Sequence, residues 1–241
     1  MLRSLLEHGV QPDVIVGTSI GAINGAAIAA RPDAEGVADL AQLWTEVTAS
    51  GVFAGSLIRR VTTLARTRTS LHNNSALRRL LERHLPVRRI EDLPIRFECV
   101  AASIEAAAEH WFTRGALVDA VLASAAVPGV LPPVAIGGEH FIDGGIVNSI
   151  PISRAVALRA KTIYVCHVGR IDSKLRAPRR PLEVGLVAFE IARRHRFHAD
   201  MANLPDDVEV HVLPTGDRSP PRYDSLANLR YSNFSRVAER I

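Results

Sequence analysis

The stretch Asp13-Val14-Ile15-Val16-Gly17-Thr18-Ser19-Ile20-Gly21-Ala22 constrains this chain more than any other. A short apolar run ends in Gly-x-Ser-x-Gly and passes without a linker into Ile23-Asn24-Gly25-Ala26-Ala27-Ile28-Ala29-Ala30, a helical run of small side chains. Strand, sharp turn and helix in that order push the serine off the sheet and expose its hydroxyl above the helix N-terminus. Gly17 and Gly21 are expected there because side chains beside the serine would collide where strand and helix pass closely. The Ile20 N–H, at the helix start, then faces negative charge that develops near the hydroxyl. This is the pattern of a nucleophilic serine. Taken alone, Gly-x-Ser-x-Gly also occurs as an ordinary glycine-rich turn.

A chain of 241 residues with 47% apolar and 22% charged side chains has enough material for one sizeable core, and a single domain is expected. No run of about eighteen apolar residues is present, which argues against a transmembrane helix. The start Met1-Leu2-Arg3-Ser4-Leu5-Leu6-Glu7-His8-Gly9 has neither the long apolar region nor the cleavage site of a signal peptide. A cytoplasmic location, or one peripheral to a membrane, is the expectation. Net charge is +4, and every basic residue except Lys161 and Lys174 is arginine. No aromatic residues alternate with these arginines as stacking platforms, so a nucleic-acid partner is not expected. A basic patch facing anionic lipid stays open. Cys99 and Cys166 each sit in a β-like apolar run and read as buried free thiols. Cys/His spacing suited to a metal is absent.

Strands and helices alternate along the chain, which predicts an α/β fold with a largely parallel sheet. Leu2, Leu5 and Leu6 form an opening helix that Gly9 caps. From about residue 33 to 90 the pattern is helical and arginine-rich, with a first face at Val37, Leu40, Ala41, Leu43 and Trp44 and a last one at Leu77, Leu80, Leu81 and Leu85. This block reads as a helical cap inserted between sheet elements. Its basic middle, around Leu57 to Arg68, is either a solvated arginine face or a membrane-contacting one. Two hairpins follow, Ile95–Ser103 with His110–Thr113 and Val134–Ile136 with His140–Ile142, separated by an apolar helix over Ala116–Ala126. Thr162-Ile163-Tyr164-Val165-Cys166-His167-Val168 reads as a strand covered on both faces. A long helix over about 182–204, a strand over Val208–Leu213 and a helical pattern at Phe234, Val237, Ala238 and Ile241 complete the chain.

A serine nucleophile needs a base. His195, His198 and His211 are available, and the order Ser, Asp, His matches the α/β-hydrolases, but only eighteen residues precede Ser19 where that fold places several strands. His195 and His198 stand among Arg193, Arg194 and Arg196, as on an exposed helix face. Asp143 is the better candidate: it ends a strand, and Gly144 and Gly145 leave room around its carboxylate. Aspartate before glycine is also ordinary turn chemistry. A carboxylate is a weak base toward serine unless apolar surroundings raise its pKa.

Three segments taken together, Gly17-Thr18-Ser19-Ile20-Gly21, Ala123-Ser124-Ala125-Ala126-Val127-Pro128-Gly129-Val130-Leu131-Pro132-Pro133 and Asp143-Gly144-Gly145, resemble the patatin-like phospholipases in content and order. The resemblance implies a three-layer α/β fold with a mostly parallel central sheet. It also implies a serine acyl hydrolase acting on lipid carboxylic esters, with Ser19 as nucleophile, Asp143 as base and no catalytic histidine, metal or organic cofactor. The segment from Ser124 to Pro133 becomes a wall near the site. In the family a strand and a Gly-Gly-Gly-x-x-Gly loop with oxyanion-hole N–H groups precede the first helix, whereas this chain begins within that helix. Of the oxyanion donors only the Ile20 N–H carries over. Loss of one such donor typically costs about 100- to 1000-fold in rate. A truncated, weakly active or non-catalytic binding domain is therefore the alternative expectation, with the last helix cut short at Ile241. The motifs carry no information on acyl-chain length, head group or oligomeric state.

Overall fold

The computed structural model describes residues 1–49, 73–167, 174–178 and 181–213. The middle of the 33–90 block and the C-terminal helical pattern lie outside the described residues. The elements are α1 (Leu2–Glu7), β1 (Val14–Thr18), α2 (Ile20–Ala30), α3 (Ala34–Ala49) and α4 (Ser75–His84), then β2 (Arg96–Ser103) and β3 (Ala108–Phe112). After these come α5 (Leu117–Ser124), β4 (Val134–Ile136), β5 (Glu139–Asp143), α6 (Gly145–Asn148), α7 (Ile152–Ala157), β6 (Thr162–Val165), α8 (Pro181–Ala202) and β7 (Glu209–Val212). Helices cover a mixed sheet, as an α/β fold requires.

The long strand β2 organises the sheet. Val100 pairs with Thr18 of β1 and with Trp111 of β3, and Ala101 pairs with His110 of β3 and with Asp143 of β5. Each residue of a strand has one neighbour on either edge. Strands β1 and β5 therefore share the edge of β2 opposite β3. Strand β1 runs parallel to β2 and ends at Thr18, while β5 runs antiparallel and ends at Asp143. The two strands meet head to head.

Among the described residues parallel pairing is confined to β1–β2 and β6–β7, so the sheet is less parallel than its sequence suggests. The reason is local. Gly137 and Gly138, with φ of +62° and +89°, make the two-residue turn that closes β4 on β5, and four residues close β2 on β3. Connections that short permit only antiparallel neighbours.

Alternation along β2 assigns the two faces. Phe97 packs under α2, where a Cβ on Gly25 would lie 2.9 Å from Ile15 and 3.0 Å from Phe97. Helices α3 and α4 bury Val37, Leu40, Leu43, Trp44, Leu77 and Leu81 in the same core. The described ends of the 33–90 block thus belong to the layer that covers this face. The Asp33 carboxylate accepts the Gly36 N–H at 2.8 Å to cap α3, and Trp44 Nε1 donates to Asn24 Oδ1 at 2.8 Å to tie α3 to α2.

Glu98 points to the opposite face and is buried, receiving Arg96 at 2.8 Å and Arg154 of α7 at 2.6 Å. The Arg154 guanidinium also lies over the Trp111 ring, 4.9 Å from its centroid. Replacing Arg154 with alanine strips a buried carboxylate of its better-sheltered partner. We expect a loss of about 3 kcal/mol in urea denaturation, whereas an unchanged midpoint would show that Arg96 suffices.

Strands β6 and β7 form a separate pair with a smaller core of Ile150, Ile152, Ile163, Val165 and Phe197. The expectation that β6 is covered on both faces is not met. Ile163 and Val165 point inward, while Tyr164 is exposed and stacks on His211 with ring centroids 5.0 Å apart. An apolar run does not reveal which of its residues find a partner. Cys166, just past β6, is accordingly exposed rather than buried, while Cys99 in β2 is buried as expected.

Candidate active site

The head-to-head meeting of β1 and β5 delivers Ser19 and Asp143 to one point from positions 124 apart in sequence. The Ser19 hydroxyl donates to Asp143 Oδ2 at 2.6 Å, and the Gly145 N–H donates to Asp143 Oδ1 at 2.7 Å. Asp143 is only 3% exposed. Burial raises its pKa from 3.8 to about 6, against the opposing pull of the Ser19 hydroxyl and the Gly145 N–H. A carboxyl so placed is ionised at neutral pH yet more basic than a surface aspartate.

Ser19 has φ of 56° and ψ of −119°, a backbone conformation that non-glycine residues rarely adopt. It follows β1 directly and caps α2, with its carbonyl accepting the Ala22 and Ile23 N–H groups. This is the strained strand-to-helix turn that holds a serine side chain clear of the sheet. The Ile20 N–H, first in α2, donates to no group among the described residues.

The four glycines around the pair have different reasons to be glycine. A Cβ on Gly17 would lie 2.5 Å from Gly21 O and 2.7 Å from Ala22 Cα, both backbone. Gly17 is therefore where strand and helix touch. Gly21 departs from the expectation: nothing lies within 4 Å of its Cβ position, because it faces an open cavity. A Cβ on Gly145 would lie 2.9 Å from Asp143 Oδ1, so this glycine does make room for the carboxylate. One on Gly144 would lie 2.2 Å from Val100 O, so that glycine serves the approach to β2.

No histidine bonds to Ser19 or Asp143 among the described residues. His195 and His198 are exposed on α8, and His211 is 3.2 Å from Glu209 in β7. Nor do three or more His, Cys, Asp or Glu side chains gather as metal ligands among the described residues.

Ser19 and Asp143 open into a cavity of about 2070 Å³ with a largely apolar lining that includes Leu6, Ile15, Ile28, Val130, Ile150 and Ile163. Strands β1 and β6 both line it, each along an edge that carries no strand among the described residues. Val127, Pro128, Gly129 and Val130 supply another part of the wall. Among the described residues no helix is long and apolar enough to cross a membrane.

Two hydroxyls at the site went unrecognised as its supports in the sequence. Thr18 Oγ1 donates to Asn148 O at 2.9 Å, and Ser124 Oγ accepts the Ser19 N–H at 2.9 Å. No local pattern marks either one. The one clue in the sequence is that Ser124 lies in one of the three segments that carry the family resemblance.

Comparison with known proteins identifies the family. The family model of patatin-like phospholipases matches residues 1–156. Lysophospholipase NTE1 of Eremothecium gossypii is 29% identical over 215 residues, which cover 88% of this chain and 13% of that protein. Patatin-like phospholipase domain-containing protein 7 of Rattus norvegicus is 30% identical, and domain-containing protein 6 of Homo sapiens 32% identical, each over 174 residues. Those alignments cover 71% of this chain and 12% of either relative, so the chain spans only about an eighth of their length. With a serine turn, an aspartate at its hydroxyl and a family match over most of its length, the chain belongs to the patatin-like phospholipase family.

Proposed function

We propose that the chain is an acyl hydrolase domain that cleaves carboxylic esters of lipids, with Ser19 as nucleophile and Asp143 as general base. The 2.6 Å hydrogen bond between the two side chains, at the wall of a large apolar cavity, carries this reading. Ser19 Oγ attacks the ester carbonyl while its proton passes to Asp143. The carbonyl oxygen becomes an oxyanion facing the start of α2, where the Ile20 N–H is available to it. As the tetrahedral adduct collapses, the alkoxide leaves with the proton from Asp143, and the acyl group stays on Ser19. Water then attacks the acyl-enzyme, Asp143 again taking the proton and returning it to Ser19 as the fatty acid departs.

The names of the relatives favour a lysophospholipid or phospholipid as the ester, and the apolar lining suits an acyl chain. Such a substrate is met at a lipid surface, which makes peripheral membrane contact part of the proposal. The test is active-site labelling with a fluorophosphonate. The expected result is one adduct, mapped to Ser19, and lysophospholipid turnover that disappears in a Ser19→Ala variant. A chain that binds lipid without taking the label, and turns over no faster than Ser19→Ala, would instead be a non-catalytic binding domain.

A further inference from the structure

We propose that Ser124 is a positioning residue that holds the nucleophile turn against the Asp143 loop. It rests on the Ser19–Asp143 reading above and adds a residue that acts through that pair. Ser124 is the last residue of α5 and fully buried, and it bonds to both halves of the site. Its hydroxyl oxygen accepts the Ser19 N–H at 2.9 Å, and its main-chain carbonyl accepts the Gly144 N–H at 3.2 Å. Two residues on, the Ala126 carbonyl accepts the Asp143 N–H at 3.0 Å. The end of α5 is thus a bracket between two strand ends that meet without covalent continuity.

The bond to Ser19 matters because of that residue's conformation. A φ of 56° at a serine is a strained conformation that persists only when the surroundings hold it. As the helix cap, Ser19 makes no intrahelical bond through its own N–H, so the Ser124 hydroxyl is what holds that group. Without it the turn is free to relax, and Ser19 Oγ drifts from Asp143 Oδ2. A displacement of about 1 Å at a reacting atom is enough to cost roughly 100-fold in rate.

A Ser124→Ala change removes the hydroxyl and leaves the carbonyl bond to Gly144 intact, so its effect falls on the nucleophile. Two quantities read it: the fluorophosphonate labelling rate constant of Ser19, and the pH midpoint of that rate. Both are independent of how much of the protein folds. Burial, the Ser19 hydroxyl and the Gly145 N–H set the Asp143 pKa, and the hydroxyl lowers it. Loosening that bond therefore moves the midpoint upward from about 6.

We expect labelling slowed about 10- to 100-fold, a midpoint displaced to higher pH, and recovery of both in Ser124→Thr, which keeps the hydroxyl. Should Ser124→Ala not fold, Ser124→Cys keeps the side chain's shape, weakens only the acceptor and gives the same two readouts. Labelling at the wild-type rate would overturn the proposal. So would a slower rate with an unmoved midpoint, since that is the mark of altered packing alone. Failure of the wild-type chain to label at all would overturn the Ser19–Asp143 reading itself, a result distinct from either.

Discussion

Asp143→Asn is expected to abolish most ester hydrolysis, by about 100- to 10,000-fold, while making the protein more stable at pH 8. Both effects have one cause. Asp143 sits 3% exposed with its pKa raised from 3.8 to about 6, so the folded state pays to hold a charge there. For a carboxyl raised on folding, the stabilising contribution is complete below pH 3.8 and is lost as pH rises through about 6. The neutral amide avoids that loss, and about 1–3 kcal/mol should separate the variant from wild type at pH 8. Near pH 4 the two should denature alike. An asparagine keeps the local bonds, with its amide donating to Ser19 Oγ and its carbonyl accepting from the Gly145 N–H. The same pKa predicts that wild-type turnover rises with pH, is half-maximal near pH 6 and is level by pH 8. Urea denaturation at pH 4 and pH 8, with a pH–rate profile, checks all three statements. Activity within tenfold of wild type in Asp143→Asn would remove Asp143 from the role of base.

The second large effect separates two glycines that look equivalent in Gly-x-Ser-x-Gly. At Gly17, all three nearest atoms to an added Cβ are backbone of the α2 start, at 2.5, 2.7 and 2.8 Å. Backbone cannot rotate away as a side chain does, so Gly17→Ala must push α2 off β1. We expect a loss of about 3 kcal/mol and a displaced Ser19 with little remaining activity. Gly21→Ala meets nothing within 4 Å and lies in the first turn of a helix. There alanine gains about 0.5–1 kcal/mol over glycine, and activity changes only as far as the new methyl narrows the cavity. Equal destabilisation by the two substitutions would contradict this account of the turn.

The features legible in the sequence are those set by neighbouring residues. Strand, serine turn and helix follow from an apolar run, a glycine at a close approach and a run of alanines. The two hairpins follow from paired strand patterns joined by short connections, Ile104 to Ala107 in one and Gly137-Gly138 in the other, and the face of α3 from the spacing of Val37, Leu40, Leu43 and Trp44. The exposure of His195 and His198 was also legible, because both stand among arginines on α8. What misled was composition read without its partners. The apolar run of β6 suggested cover on both faces, yet Tyr164 and Cys166 are exposed, because β6 joins only β7 among the described residues.

The sequence by itself determined that a serine would stand at the end of a strand above a helix, and that an aspartate followed by two glycines would end another strand. Each is a matter of steric limits on a few consecutive residues. Only the tertiary structure decided that the two strands end against each other on one edge of β2, with Thr18 opposite Val100 and Asp143 opposite Ala101. It alone brought the Ser124 hydroxyl to the Ser19 N–H across 105 positions. Strand pairing depends on which edge is left free once the other strands have packed, and no local pattern carries that information.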